Sequence, residues 1–79
     1  MDMWTAIDKN PGVSGGDAII VRTRIPVWSL EGYRRLGSGD TEILENFPSL
    51  RASDLVQAWV YIAAHRAEIE LALHANEEA

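Results

Sequence analysis

The stretch GDAIIVRTRIPVW, residues 16–28, decides the fold of this 79-residue chain. The apolar run that begins at Ala18 and leads to Arg22 is typical of a paired, buried strand. Val13-Ser14, which precedes the break at Gly15-Gly16, is the expected partner strand, so we predict an irregular hairpin. Because Pro26 has no amide hydrogen to donate, the segment 25–27 should lie at a strand end or on an edge.

Two short helices are predicted after this stretch. Helix one should run over about 30–36, with Ser29 as its N-cap and Leu30, Tyr33 and Leu36 on its apolar face. Helix two should begin near Asp40, whose carboxylate can accept hydrogen bonds from free backbone amides, and end at about Asn46. Its apolar face consists of residues 43, 44 and 47, and Pro48 closes it.

The remaining residues, from about 52 to 74, read as one long helix. Apolar residues fall at steps of three, four or seven, namely Leu55, Trp59, Ile62, Ile69 and Leu73, and no Gly or Pro interrupts them. Some 22 residues would extend about 33 Å, which exceeds the core of so small a domain. We therefore expect a homodimer in which a second copy covers Ile69 and Leu73.

These elements predict a single domain over 1–79 that is mainly α with a short N-terminal β-hairpin. The hairpin would occupy about 1–28 and the helical part about 29–76, with three helices of which the last is long. Helix two, the turn at Pro48 and helix three have helix-turn-helix proportions.

Charge is divided unevenly along the chain, whose net charge is −5. Residues 1–39 carry five basic and four acidic side chains, for +1, whereas residues 40–79 carry two basic and eight acidic ones, for −6. The acidic half suits a basic protein partner better than a phosphate backbone. Cysteine is absent, no zinc-binding spacing exists, and the longest uncharged run near the C-terminus, 55–65, is too short for a bilayer. A cytoplasmic protein without membrane contact is the expectation.

The order of several short signals resembles the bacterial domain-of-unknown-function 433 (DUF433) family over about residues 4–64. The matching segments are Gly15-Gly16, 18–21, Thr23-Arg24-Ile25-Pro26-Val27, Leu36-Gly37, Glu42-Ile43-Leu44, Phe47-Pro48-Ser49-Leu50 and Asp54-Leu55. Two positions depart from the family pattern. Arg22 replaces a glycine, and Arg51 replaces a threonine that would cap the third helix, a role that Ser49 could take if that helix began earlier.

The resemblance implies a winged-helix-like, helix-turn-helix fold and the role of an antitoxin encoded beside a PIN-like ribonuclease toxin. The acidic tail 68–78 would then cover a basic nuclease site. Its expected partner-binding residues are Glu68, Ile69, Glu70 and Leu73.

A second hypothesis is a DNA-binding repressor of helix-turn-helix type. Its nucleic-acid-binding residues would be Arg22, Arg24, Arg34, Arg35 and Arg51. The competing interpretation is that Arg24 and Arg34 pair with Asp17, Glu31 or the acidic second half inside the fold.

A third hypothesis is a structural orphan domain. We expect no catalysis and no cofactor, because the serines fall in turns or caps and both histidines lie late on one helix. The helical pairs His65/Glu68 and Glu70/His74 offer two ligands each, too few for a metal site.

Overall fold

The computed structural model describes residues 7–9, 18–20, 23 and 25–78. Three short strands precede the helices in chain order: β1 (Ile7–Lys9), β2 (Ala18–Ile20) and β3 (Ile25–Pro26). The helices described are α1 (Val27–Arg35), α2 (Asp40–Asn46), α3 (Ala52–Ala64) and α4 (Arg66–Glu78). The prediction of a mainly helical fold with a short antiparallel N-terminal sheet is confirmed.

The sheet has the antiparallel order β1-β2-β3. Strand β2 pairs with Ile7–Lys9 rather than with Val13-Ser14, and these last two residues lie outside the described part of the chain. Ile7 is buried opposite Ile20, so β1 contributes a core side chain as well as backbone pairing. Pro26 lies in the edge strand β3, as its missing donor predicts.

Thr23 holds the turn between β2 and β3. Its backbone amide and its hydroxyl both donate to the carbonyl oxygen of Ile20 at 3.1 Å, and the hydroxyl accepts from the amide of Ile25 at 3.1 Å. One threonine therefore satisfies three hydrogen-bonding groups and feeds the chain directly into α1.

Helix α1 begins at Val27, three residues before its expected start. Pro26 is the N-cap, and Ser29 lies in the first turn, where its hydroxyl donates to the Pro26 carbonyl at 2.7 Å. The prediction of Ser29 as the cap is wrong because the fixed φ of proline already sets the helix entry. The helix ends in a Schellman motif at Gly37, whose φ is 99°. The amide of Gly37 bonds to the Arg34 carbonyl at 3.0 Å, and that of Ser38 to the Tyr33 carbonyl at 3.1 Å.

Helix α2 has the predicted bounds, but Gly39 is its N-cap. Asp40 instead accepts a hydrogen bond from the indole nitrogen of Trp59 at 3.1 Å and so ties α2 to α3. The threonine expected before α3 is replaced from inside the helix, because the carboxylate of Asp54 accepts from the backbone amide of Arg51 at 2.9 Å. Helix α3 does not start early, so Ser49 does not cap it.

The long C-terminal helix is interrupted at His65, where φ is −130° and ψ is 47°. The imidazole stacks on the Tyr61 ring with centroids 4.1 Å apart, and its Nδ1 lies 3.1 Å from the Tyr61 carbonyl oxygen. Helix α4 therefore turns back and packs against α1. The expectation of a single overhanging helix is wrong because α4 buries its apolar face within its own chain.

The core lies where the sheet and the helices meet. Its fully buried side chains are Ile20, Val27, Leu30, Ile43, Leu55, Ile62 and Ile69. The predicted core positions of helices two and three are thus confirmed, with Leu44, Phe47, Trp59 and Leu73 packed partly buried around them. Leu36 is the exception: it follows the last residue of α1 and is 84% exposed. Across the described residues, no helix combines the length and apolarity needed to span a bilayer.

Candidate interaction surface

Helices α1 and α4 border a surface groove of about 480 Å³. Its lining residues are Trp28, Ser29, Gly32, Tyr33, Arg35, Leu36, Leu73 and Asn76. Gly32 forms part of the floor, where a Cβ atom would lie 3.6 Å from Cδ2 of Leu73. The glycine therefore lets the two helices approach closely and leaves the groove open above them.

Two large apolar side chains stand at the edge of this groove. Leu36 is 84% exposed, and Tyr33 is 39% exposed. The Tyr33 ring is fixed by an edge-to-face contact with Phe47, at a centroid distance of 5.5 Å. Both residues were expected in the core, but the C-terminal turn of α1 directs them outward. Exposed apolar side chains next to a concavity are typical of protein-binding sites.

A cluster of ion pairs borders the same groove. Glu31 is buried, and its carboxylate pairs with Arg34 and with Nε of Arg35, the latter at 2.8 Å. Arg35 also reaches across to Glu70 on α4. Hydrogen bonds to Glu70 and then to Glu31 raise the pKa of Arg35, and the same bond from Arg35 lowers the pKa of Glu70. Glu31 thus neutralises the two arginines and helps α1 hold α4.

Arg34 has a further partner on α3. Its guanidinium lies 4.4 Å from the centroid of the Trp59 ring, whose indole nitrogen is bound to Asp40. The interpretation in which Arg34 pairs with Glu31 inside the fold is therefore confirmed.

The remaining arginines of the predicted nucleic-acid patch are placed differently. Arg22 and Arg24 lie outside the described residues. Arg51 is exposed, but it precedes α3 and does not belong to the cluster on Glu31. Of the five arginines, the described structure brings together Arg34 and Arg35.

The four residues predicted to bind a partner divide into two pairs. Glu68 accepts hydrogen bonds from Lys9 Nζ at 2.9 Å and from the Tyr61 hydroxyl at 2.9 Å, and Ile69 is core. Glu70 and Leu73 remain at the groove. The prediction of one continuous partner surface is corrected, because the turn at His65 brings Glu68 and Ile69 against the body of the chain.

The Tyr61–Glu68 contact also changes the tyrosine's acidity. Burial of the phenol, and then its hydrogen bond to the carboxylate, raise the pKa of Tyr61. Because Glu68 is engaged by Tyr61 and Lys9, the pair His65/Glu68 has a structural use. No group of three or more His, Asp or Glu side chains that could hold a metal ion occurs within the described ranges.

Sequence reasoning did not find the groove itself. Trp28 and Tyr33 were expected as core or interface anchors, but Gly32 and Asn76 carried no signal. The available clue was Leu36, which stands directly before the glycine that ends α1. An apolar side chain at that position faces outward when the helix ends in a Schellman turn.

Comparison with known proteins gives a consistent result. The family DUF433, described as "Protein of unknown function", matches residues 7–62. A crystal structure of a DUF433 member protein from Anabaena variabilis ATCC 29413 is similar, with a TM-score of 0.84 and 45% sequence identity. The match covers 87% of this chain and 68% of that one. A comparison with curated proteins gave no match. The family match spans most of the described structure, from β1 to the last turn of α3, and the chain belongs to the DUF433 family.

Proposed function

We propose that this protein is a non-catalytic interaction protein, the antitoxin of a toxin–antitoxin pair that neutralises a PIN-like nuclease. The observation that carries the proposal is the groove between α1 and α4, with the exposed Leu36 and Tyr33 at its edge. The nuclease class comes from the resemblance to the family; the groove supports a protein partner.

The groove has the size and lining of a site for an apolar anchor. Its volume of about 480 Å³ lies in the range of roughly 300–1,000 Å³ that is usual for binding pockets. Protein interfaces take most of their binding energy from a few large side chains seated in such pockets. We expect the partner to insert an aromatic or aliphatic residue between Leu36 and Leu73.

The charges around the groove favour a basic partner. Residues 40–79 carry a net charge of −6, and α2 presents Asp40, Glu42 and Glu45 on its exposed side. Complementary charge on a nuclease would speed the encounter and orient it. The local arginines do not oppose this attraction, because Arg34 and Arg35 are bound to carboxylates.

The test is co-expression with the product of the neighbouring gene. Wild-type protein should co-purify with that product and restore the growth of cells that express it. Leu36→Glu should weaken binding by about 2 kcal/mol or more, a factor of roughly 30 in Kd, because it places a charge where an apolar anchor docks.

Leu71→Glu is the matched control. Leu71 is 71% exposed on α4, and it is not among the residues that line the groove. Full rescue by Leu71→Glu together with failure of Leu36→Glu is the expected result. Equal rescue by both variants, or a neighbouring product without nuclease activity, would overturn the proposal.

DNA binding is the second candidate, favoured by one observation. Arg51 is exposed at the start of α3, the position that enters the major groove in helix-turn-helix proteins. The engagement of Arg34 and Arg35 by carboxylates leaves this candidate with less support. A gel-shift titration of the protein's own promoter at low salt tests it: retardation that Arg51→Gln weakens would support it, and no retardation would exclude it.

A further inference from the structure

Helix α3 presents an exposed face without charge. The single charged residue of the helix is Asp54, which is buried, whereas Val56 is 60% exposed and Val60 is 51% exposed. With Ala52 and Ala64, which are also exposed, these valines form a ridge at steps of four residues. We call Ala52, Val56, Val60 and Ala64 the valine face.

We propose that the valine face binds the valine face of a second copy of this chain and forms a weak, reversible homodimer. The charge distribution selects this occupant. The chain carries a net charge of −5, and the exposed side of α2 is acidic, so two copies repel each other over much of their surface. The valine face allows them to approach without a contact between like charges.

The geometry of the ridge is suited to self-association. Ridges of residues four apart interlock when two helices cross at about −50°, the commonest packing class of globular proteins. A twofold axis at such a crossing makes the contact self-complementary. Val56 of one copy would then pack against Val60 of the partner subunit, and the small alanines at either end would let the helices approach closely.

The size of the face sets the strength of the dimer. A helix of 13 residues is about 20 Å long and about 10 Å wide. One such face falls short of the roughly 800 Å² per partner that a standard stable interface buries. We therefore expect an equilibrium between monomer and dimer that shifts with concentration rather than a permanent dimer.

This interface is separate from the groove. The groove is lined by residues of α1, the turn after it and α4, and the valine face belongs to α3. The interface also differs from the one expected at Ile69 and Leu73, which the chain buries or packs by itself. The dimer and the proposed antitoxin function can thus fail independently.

Single cysteines provide the first test, because the chain has none of its own. A tagged Val56→Cys protein is mixed with untagged Val60→Cys and oxidised mildly. A disulfide forms when two Cα atoms come within about 7 Å, so this pair should cross-link at least about tenfold faster than tagged Leu71→Cys mixed with untagged Val60→Cys. Equal rates for the two mixtures would overturn the proposal.

Sedimentation equilibrium provides the second test. Wild-type protein should show a dimer that dissociates on dilution, and Val60→Glu should raise its Kd at least about tenfold because the charge enters the contact from both copies. Leu36→Glu should leave that Kd unchanged. A wild-type chain that remains monomeric at about 1 mM, or a dimer lost in Leu36→Glu but kept in Val60→Glu, would refute the valine face as the interface.

Discussion

Replacing Ile69 by alanine tests whether α4 belongs to the core of a single chain. The Ile69 side chain is 2% exposed, so its loss removes three buried methylene equivalents. At about 0.8 kcal/mol each, the lost transfer free energy is about 2.4 kcal/mol, and the cavity left behind adds to it. We expect a total of about 3 kcal/mol, a large part of the roughly 4–12 kcal/mol available to a chain of this length.

The assay is urea unfolding followed by circular dichroism, at two protein concentrations roughly a hundredfold apart. With a slope of about 1.5 kcal/mol per molar urea, Ile69→Ala should lower the midpoint by about 2 M. Leu71→Ala removes a similar volume from a side chain that is 71% exposed, so it should change stability by less than about 0.5 kcal/mol.

The difference between wild type and Ile69→Ala should be the same at both concentrations. A loss below about 1 kcal/mol would mean that Ile69 is not core. A loss that appears only at the higher concentration would mean that a second copy covers this residue, as the sequence alone suggested.

Three further predictions concern single contacts. Because the pKa of Tyr61 is raised above its ordinary value of 10.0, the stability of the fold should be complete below pH 10 and fall as the pH rises above it; Tyr61→Phe should flatten this decline in thermal melts between pH 8 and 11. Gly37→Ala should cost about 1–2 kcal/mol from its backbone angle alone, since a Cβ there would touch nothing, and an unchanged melting temperature would contradict the left-handed turn. Asp54→Ala should cost about 1 kcal/mol by freeing the amide of Arg51, whereas Asp54→Asn should keep most of that stability; equal losses in urea titrations would exclude the capping role.

Local signals predicted much of the fold. Pro26 at a strand edge, the bounds of α2 and the buried positions of α3 follow from backbone chemistry and from the spacing of apolar residues. The turn at His65 could not be predicted in this way. Residues 63–67 contain no Gly or Pro, and the turn is stabilised by contacts distant in sequence, above all the packing of Leu73 beside Gly32.

The candidate site was predicted only in part. The spacing of Glu31 from Arg34 and Arg35 is that of helical ion pairs, so their pairing was visible in the sequence. The reach of Arg35 to Glu70 was not visible, because it depends on the direction of α4. The groove depends on that direction as well, which explains why its lining residues come from segments about 40 residues apart.

The central claim is that α4 packs against α1 of the same chain and so builds the groove. The most direct measurement is an isotope-filtered NMR experiment, which separates contacts within one chain from contacts between chains. A cross-peak between the Leu73 methyl groups and the Gly32 α-protons should appear within a single chain, because a Cβ at Gly32 would lie 3.6 Å from Cδ2 of Leu73. The absence of this cross-peak, or its appearance only between differently labelled chains, would contradict the claim.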